Sequence, residues 1–197
     1  MNLYKILDRI GFRGWLTALY RVEIAGAERI PARGGVVIAS SHDSLVDPWL
    51  LNLATPRQIR YMAKAELWNN RAVGWAMDAF GTFPIERGAG DLSAMSAGVD
   101  LLRQGEVLGI FPQGTSKQLE RRPFHRGAAR LALATGTPVV PVGIVDNEYI
   151  HRRGGIRFPR VRISVGEAIA VGEGKPTIKA ARELTDRIER EIVELRR

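Results

Sequence analysis

Residues 35–48 read GVVIASSHDSLVDP, and this stretch sets the expected fold. The apolar run GVVIA predicts a strand buried on both faces, because such continuous runs are typical of parallel sheets covered by helices. Residues 40–46 are predicted to form a turn. Pro48 is predicted to be the first residue of a helix, which its fixed φ favours, with Asp47 as the N-cap. The order of strand, turn and helix indicates an α/β fold.

His42 and Asp47 are candidates for a catalytic pair at the end of this strand. Open α/β sheets place ligand chemistry at the carboxyl ends of their strands. An offset of five residues does not align two side chains on one helix, so His42 is predicted to lie outside the helix, with the carboxylate folding back toward it. Asp47 could then accept the Nδ1 proton and leave Nε2 free to take a proton from a hydroxyl. The alternative is that Asp47 only caps the helix and His42 only fills the turn.

The composition limits the class of protein. A chain of 197 residues with 45% hydrophobic residues suits one domain with a sizeable core. The absence of cysteine excludes disulfides, thiolate metal sites and a cysteine nucleophile. A formal net charge of +8 favours anionic lipid surfaces, nucleic acid or phosphorylated small molecules as partners. Nucleic acid is not expected, because zinc-finger spacing and an aromatic-interleaved basic platform are both missing.

Residues 1–22 are predicted to be an N-terminal amphipathic helical segment, and residues 23–197 the main domain. The segment combines helical apolar spacing with basic residues and is expected to bend near residues 11–14. With Trp15 and Tyr20 it could lie in a membrane interface as an anchor, or it could pack on its own domain. No apolar run reaches the roughly 18–20 residues that span a bilayer, and no signal-peptide core is present, so a soluble or peripheral protein is expected.

The remaining chain alternates between predicted strands and helices. This order indicates a single-domain α/β fold with a mixed, mostly parallel sheet flanked by helices. Prolines in the strand predicted at residues 137–145 imply a sheet edge or a bulge. The tryptophans in the helix predicted at residues 65–80 are predicted to pack in the core. The predicted strands span residues 22–30, 59–62, 81–88, 107–111, 137–145 and 156–165, and the helices span residues 65–80, 91–103, 128–134 and 176–197.

Two loops that follow predicted strands are further candidate sites. Arg87 ends the stretch GTFPIERG at residues 81–88, where it could hold an anion in bidentate geometry or could simply be solvated. The stretch PQGTSK at residues 112–117 follows a buried strand. There Gly114 would let backbone N–H groups approach a substrate and Thr115 would add a hydroxyl donor, although an ordinary turn would look the same.

Four stretches together resemble the lysophospholipid acyltransferase family, which includes the bacterial 1-acyl-glycerol-3-phosphate acyltransferases. They are His42-x4-Asp47 and residues 81–88, 111–115 and 139–142, in the order of the family's four motifs. The resemblance covers roughly residues 20–165. It implies an O-acyltransferase in which the free hydroxyl of a glycerol-based acceptor attacks an acyl thioester. His42, oriented by Asp47, would remove the hydroxyl proton, and the thiol of coenzyme A or acyl carrier protein would leave.

The same resemblance implies which residues bind the acceptor. Arg87 and the Gly114-Thr115 loop would hold it, often through its phosphate, and the further substrate-binding candidates are Glu86, Gln113 and Lys117. The family's third motif commonly reads Phe-Pro-Glu-Gly-Thr-Arg, whereas this chain has Gln113 and Ser116 at the glutamate and arginine positions. Gln113 loses a charge, and Ser116 loses a planar fork suited to phosphate. A 1-acyl-glycerol-3-phosphate acceptor is expected, and another lysophospholipid or a glycolipid remains open.

The resemblance also implies the cofactors and partners. It implies no tightly bound cofactor and no metal, with acyl-CoA or acyl carrier protein as co-substrate. The expected partners are a lysophospholipid and an anionic membrane surface, for a cytoplasmic protein peripheral to the inner face of the cell membrane. A covalent acyl-enzyme is independently disfavoured, since the chain has neither cysteine nor a Gly-x-Ser-x-Gly elbow. The alternatives are a catalytically silent lipid-binding scaffold, which Gln113 and Ser116 favour, and a thioesterase that uses the same base on water.

Overall fold

The computed structural model describes residues 11–85, 92–114, 123–146, 151–152, 155–156 and 158–197. Its strands are β1 (Glu23–Ala25), β2 (Val36–Ser40), β3 (Ile59–Lys64), β4 (Phe83–Ile85), β5 (Val107–Ile110), β6 (Val139–Val145), β7 (His151–Arg152), β8 (Gly155–Ile156) and β9 (Arg162–Val165). Its helices are α1 (Phe12–Leu19), α2 (Asp47–Leu51), α3 (Arg71–Ala79), α4 (Leu92–Arg103), α5 (Gly127–Thr135) and α6 (Ile178–Leu195).

A seven-stranded sheet in the order β1-β9-β6-β2-β5-β3-β4 organises the domain. The strands β6, β2, β5, β3 and β4 run parallel to one another, whereas β9 is antiparallel to β6 and carries β1 alongside it. This arrangement confirms the predicted single-domain α/β fold with a mixed, mostly parallel sheet. The strand β2 lies at the centre, and all five of its residues are buried as the apolar run predicted.

Alternate residues of β2 face two separate cores, as the pleat of a strand requires. Val36 and Ile38 point into the core that includes Leu16 of α1 and Leu50 of α2. Val37 and Ala39 point into the opposite core, which is covered by apolar residues of α4, α5 and α6, among them Leu102, Leu131 and Ile188. The sheet is therefore the middle of three layers, and β2 needs apolar residues at every position because both of its faces are covered.

The N-terminal part of the chain differs from the prediction in two respects. The strand expected at residues 22–30 is only β1, because the chain turns at Gly26 with φ +78° and continues as a 3₁₀ turn. A Cβ at Gly26 would lie 2.4 Å from the Val165 carbonyl oxygen, so glycine is needed there. Within the predicted helical segment, residues 1–10 lie outside the described residues, and α1 begins immediately after Gly11.

The helix predicted at residues 65–80 is divided into two pieces. A 3₁₀ turn, Ala65–Asn69, precedes α3. The break occurs at Asn70, whose Oδ1 accepts hydrogen bonds from the N–H groups of Ala72 (3.0 Å) and Val73 (3.3 Å) and so caps α3. The expected burial of the tryptophans is wrong for Trp75, which is 65% exposed.

Strand β6 is an interior strand, so the sheet edge predicted from its prolines is wrong. The alternative of a bulge is correct. Val142 pairs with Val165 and Val139 with Ile169, so the two residues between them on β6 face three residues, 166–168, on the partner segment. Residues 156–165 were predicted to form a late strand or a hairpin. Ile156 is the last residue of β8, and β9 forms the strand within this range.

Arg13 joins α1 to the segment that follows α2. Its guanidinium donates to the carbonyl oxygens of Asn52 (2.6 Å), Thr55 (2.9 Å) and Leu53 (3.0 Å). These contacts satisfy carbonyl groups at the end of a helix, where cations are favourable. With Leu16 in the core, one face of α1 therefore packs on the domain. In the ranges with described coordinates, no helix has the length and apolar character needed to cross a bilayer.

Candidate active site

The loop of residues 41–47 leaves the carboxyl end of β2, the central strand. Its first residue, Ser41, is held against β6: its N–H donates to the Val142 carbonyl (3.3 Å), and its Oγ accepts from the N–H of Ile144 (3.1 Å). Ser41 is fully buried, so its hydrogen bonds are made within the protein. The loop therefore starts from a fixed point on the sheet.

The loop brings His42 and Asp47 into direct contact. His42 Nδ1 lies 3.0 Å from Asp47 Oδ2, and the Asp47 carboxylate is fully buried. The same oxygen accepts hydrogen bonds from the N–H groups of Asp43 (2.7 Å) and Ser44 (2.8 Å). Since the carboxylate only accepts, the bond to His42 places the proton on Nδ1 and leaves Nε2 as an acceptor. This is the arrangement that a general base and its orienting acid require.

The predicted N-cap role of Asp47 is wrong. Helix α2 has Val46 as its N-cap, no side chain caps it, and Asp47 is its first residue. The Asp47 carboxylate points back into the loop because the N–H groups of Asp43 and Ser44 and the imidazole all face it there. Asp47 therefore stabilises the loop that carries His42, and it does not close the helix.

The third motif positions His42 from the other side. The His42 ring stacks on Phe111, with centroids 4.2 Å apart and planes inclined by 24°, and Phe111 lies nearly parallel to Tyr61 at 5.8 Å. The backbone N–H of His42 donates to Oε1 of Gln113 at 2.8 Å. Gln113, which was predicted to bind substrate, holds the backbone of the catalytic candidate through its side-chain oxygen. The sequence analysis did not identify Phe111 and Tyr61 as parts of the site, although Phe111 lies within the third motif.

The His42 side chain forms part of the wall of an apolar cavity of about 270 Å³. Its walls come from α2, β3, the 3₁₀ turn before α3, and Phe80, which packs on Trp49 at a centroid distance of 4.0 Å. A cavity with this lining suits an alkyl chain and disfavours a charged group. The lining residues are His42, Leu45, Pro48, Trp49, Asn52, Tyr61, Met62, Ala63, Leu67, Met77, Phe80, Thr82 and Phe111.

The remaining predicted site residues divide into two groups. Gly114 has φ +71°, and its N–H donates to the Phe111 carbonyl at 2.9 Å, so this N–H is used within a turn. The position is close to the His125 ring, 3.2 Å from where a Cβ would lie. The predictions for Glu86, Arg87, Thr115 and Lys117 lie outside the described residues. Within the described ranges, no three His, Asp or Glu residues are grouped so that they could bind a metal ion.

Comparison with known proteins places this chain in a family. The acyltransferase family model matches residues 21–145. The 1-acyl-sn-glycerol-3-phosphate acyltransferase of Bacillus subtilis (strain 168) is 33% identical, over 75% of this chain and 73% of that protein. The lyso-ornithine lipid O-acyltransferase of Pseudomonas aeruginosa is 32% identical, over 73% of this chain and 55% of that protein.

The fold has a counterpart among solved structures. This counterpart is the crystal structure of PlsC, the 1-acyl-sn-glycerophosphate (LPA) acyltransferase of Thermotoga maritima. The superposition includes 95% of this chain and 83% of the PlsC chain, with a TM-score of 0.67 and 22% identity. The structural match supports the fold assignment. The family model supports membership of the family, since the model matches more than half of the chain. The resemblance noted from the four motifs is confirmed: the chain belongs to the acyltransferase family and is an acyltransferase.

Proposed function

We propose that this enzyme transfers a fatty acyl group from an acyl-CoA or acyl carrier protein thioester to the free hydroxyl of 1-acyl-glycerol-3-phosphate. The observation that carries the proposal is the His42–Asp47 pair, whose imidazole lines an apolar cavity. The pair supplies a base, and the cavity suits an alkyl chain. The names of the relatives from Bacillus and Thermotoga point to the same acceptor.

The mechanism follows from the proton on His42. As the acceptor hydroxyl attacks the thioester carbonyl carbon, Nε2 takes the hydroxyl proton and a tetrahedral intermediate forms. The carbon–sulfur bond then breaks, the new ester remains, and the leaving thiolate receives the proton from the imidazolium. Asp47 stabilises the imidazolium between these steps through its bond to Nδ1. In this scheme Phe111 and Gln113 hold the imidazole in place.

The proposal is tested by following free thiol release from a series of acyl-CoA and acyl carrier protein donors. Each donor is combined with a panel of acceptors that includes 1-acyl-glycerol-3-phosphate, lysophosphatidylcholine and a lyso-ornithine lipid. Release that depends on 1-acyl-glycerol-3-phosphate supports the proposal. Release without any acceptor would instead indicate a thioesterase, and vesicle binding without release from any donor would indicate a silent lipid-binding protein.

A second acceptor class follows from Ser116. With serine at the position where the family commonly has arginine, this residue offers no fork for phosphate. The relative from Pseudomonas, with 32% identity, is named for a lyso-ornithine lipid. If the lyso-ornithine lipid is the preferred acceptor in the same panel, this second candidate replaces the first.

We predict that Gln113 supports turnover through its contact with His42. Replacing it with leucine leaves the His42 N–H without its acceptor, which disfavours the catalytic position of the loop by about 1–3 kcal/mol. The kcat should therefore fall about 5- to 150-fold. The matched control is Gln113→Glu, which keeps an acceptor oxygen at this position and should stay within about threefold of wild type. Equal losses in the two variants would contradict this role, and unfolding temperatures would show whether each variant is folded.

Membrane attachment is also part of the proposal: we place the enzyme at the cytoplasmic face of the cell membrane, bound to anionic lipid. Leu45 lines the cavity and is 70% exposed, so the cavity reaches the surface there. Trp15 of α1 is 58% exposed and stacks on Phe12, which in turn contacts Trp49 in the cavity wall. An exposed tryptophan that is linked through Phe12 to the cavity wall suits a membrane interface. The net charge of +8 favours anionic headgroups.

Replacing Trp15 with serine is expected to reduce co-sedimentation with phosphatidylglycerol vesicles about tenfold, because a large apolar side chain no longer enters the interface. Ile178→Ser provides a matched control, since Ile178 is 78% exposed on α6, which covers the opposite face of the sheet. Its vesicle binding should equal that of the wild type. A similar loss in both variants, or in neither, would contradict a membrane contact at α1.

A further inference from the structure

A second buried carboxylate lies immediately beside His42. The Asp43 side chain has no exposed surface, and its Oδ2 forms an ion pair with Nη2 of Arg196. Arg196 itself is 27% exposed. The two residues are separated by 153 positions in sequence. A carboxylate is rarely buried to this extent without a charged partner, because removing it from water is costly.

The fold brings Arg196 to this position through α6. The helix packs on the sheet through Ile188 and Ile192, and Arg196 is the residue that follows its last turn. At Gly143 of β6, a Cβ would lie 2.9 Å from the backbone and side chain of Leu195, so only glycine permits this close approach. The end of α6 is therefore fixed against β6, the same strand that holds Ser41 at the start of the loop.

Asp43 connects this ion pair to the catalytic pair. Its carboxylate contacts Arg196, while its backbone N–H donates to Oδ2 of Asp47 at 2.7 Å. The same Asp47 oxygen binds His42 Nδ1. If the guanidinium is removed, the buried Asp43 carboxylate gains by turning toward water, and this movement would carry its N–H away from Asp47.

We infer that Arg196 is a positioning residue for acyl transfer: by pairing with Asp43 it holds the loop in which Asp47 orients His42. The inference rests on the proposed function, since it assigns Arg196 to the same site. The contact of Arg196 in this loop is its ion pair with Asp43, through which it acts on Asp47 and His42. The loss expected from its removal is therefore one of turnover, with substrate affinity little changed.

The test compares Arg196→Gln, Asp43→Asn and the double variant in the thiol-release assay. We expect Arg196→Gln to lower kcat about tenfold and to leave KM within about twofold. A tenfold loss lies within the range of interaction energies that double-mutant cycles find for residues in one ion pair. The double variant has no buried carboxylate to compensate and should recover to within about threefold of wild type. Arg196→Lys should recover part of the loss. The matched control is Arg197→Gln, since the Arg197 side chain is 73% exposed and pairs with a neighbour on its own turn, Glu194.

A second measurement does not depend on catalysis. The N–H groups of Asp43 and Ser44 should exchange with deuterium about tenfold faster in Arg196→Gln than in wild type or Arg197→Gln, because both donate to Asp47. Wild-type kcat in Arg196→Gln, a double variant as slow as Arg196→Gln, or unchanged exchange would each overturn the inference. If the wild type lacks acyl transfer but exchange changes as expected, the proposed function fails and the positioning contact stands.

Discussion

Replacing His42 with alanine should lower acceptor-dependent kcat/KM about 10²–10⁴-fold, the range that a positioned general base supplies. The acceptor hydroxyl is a weak nucleophile while it keeps its proton, and with no acceptor atom at the Nε2 position the attack must pass through a poorly stabilised oxonium. The cavity walls contributed by α2, β3 and Phe80 are unchanged in this variant. The loss is therefore expected in kcat, with little change in KM for the acyl donor.

The measurement is initial-rate thiol release over a range of 1-acyl-glycerol-3-phosphate concentrations. His151→Ala serves as the matched control, because His151 lies on the separate β7–β8 hairpin and outside the seven-stranded sheet. Its kcat/KM should equal that of the wild type. Undiminished acceptor-dependent turnover in the His42 variant would refute the base mechanism. An absence of acyl transfer in the wild type and in both variants would refute the activity itself.

Replacing Asp47 with asparagine should lower kcat by a smaller factor, about 10- to 10³-fold, because the imidazole remains but is held wrongly. An amide can present its NH₂ group to Nδ1, which would place the imidazole proton on Nε2 and remove the base. The variant also loses the charge that stabilises the imidazolium. Substrate contacts and the cavity remain, so some turnover should survive.

Asp47 also holds its loop together, so the stability of the variant must be measured with its activity. Asp43 and Ser44 both donate to the same Asp47 oxygen that binds Nδ1, so an asparagine that presents its NH₂ group to Nδ1 loses both of these bonds, whereas one that presents its oxygen keeps them. We expect a lower unfolding temperature but a folded protein. Full activity in Asp47→Asn would show that Asp47 only stabilises the loop and takes no part in catalysis.

The main features of the fold could be predicted because they depend on local patterns. The apolar run before His42 predicts a strand that needs two covered faces, and such strands belong to parallel sheets with helices on both sides. The predicted ends of strands and helices were wrong where a single contact determines where the element stops. Gly26 ends β1 because the Val165 carbonyl approaches its Cα, and Asn70 divides the predicted helix because its side chain caps a new one. Neither contact has a sequence signal of its own.

The candidate site was predictable to the extent that it is contiguous in sequence. His42 and Asp47 share one loop, and their spacing alone suggested that the carboxylate folds back. The contact of Gln113 with the His42 backbone could not be predicted, because a side chain that binds backbone leaves no pattern of residue types. The Asp43–Arg196 pair was equally hidden, since an arginine near the end of an amphipathic helix usually lies in solvent.

The central position of β2 has a consequence for how the protein is made. Ile38 pairs with Gly109 on one side and Val140 on the other, about seventy and a hundred residues further along the chain. Because synthesis proceeds from the N-terminus, this apolar strand is complete long before either neighbour exists, and such long-range pairing folds slowly. The nascent chain must therefore carry an unpaired, aggregation-prone strand for much of translation. The loop beside it gains its contact with Arg196 later still, because that residue lies 153 positions after Asp43.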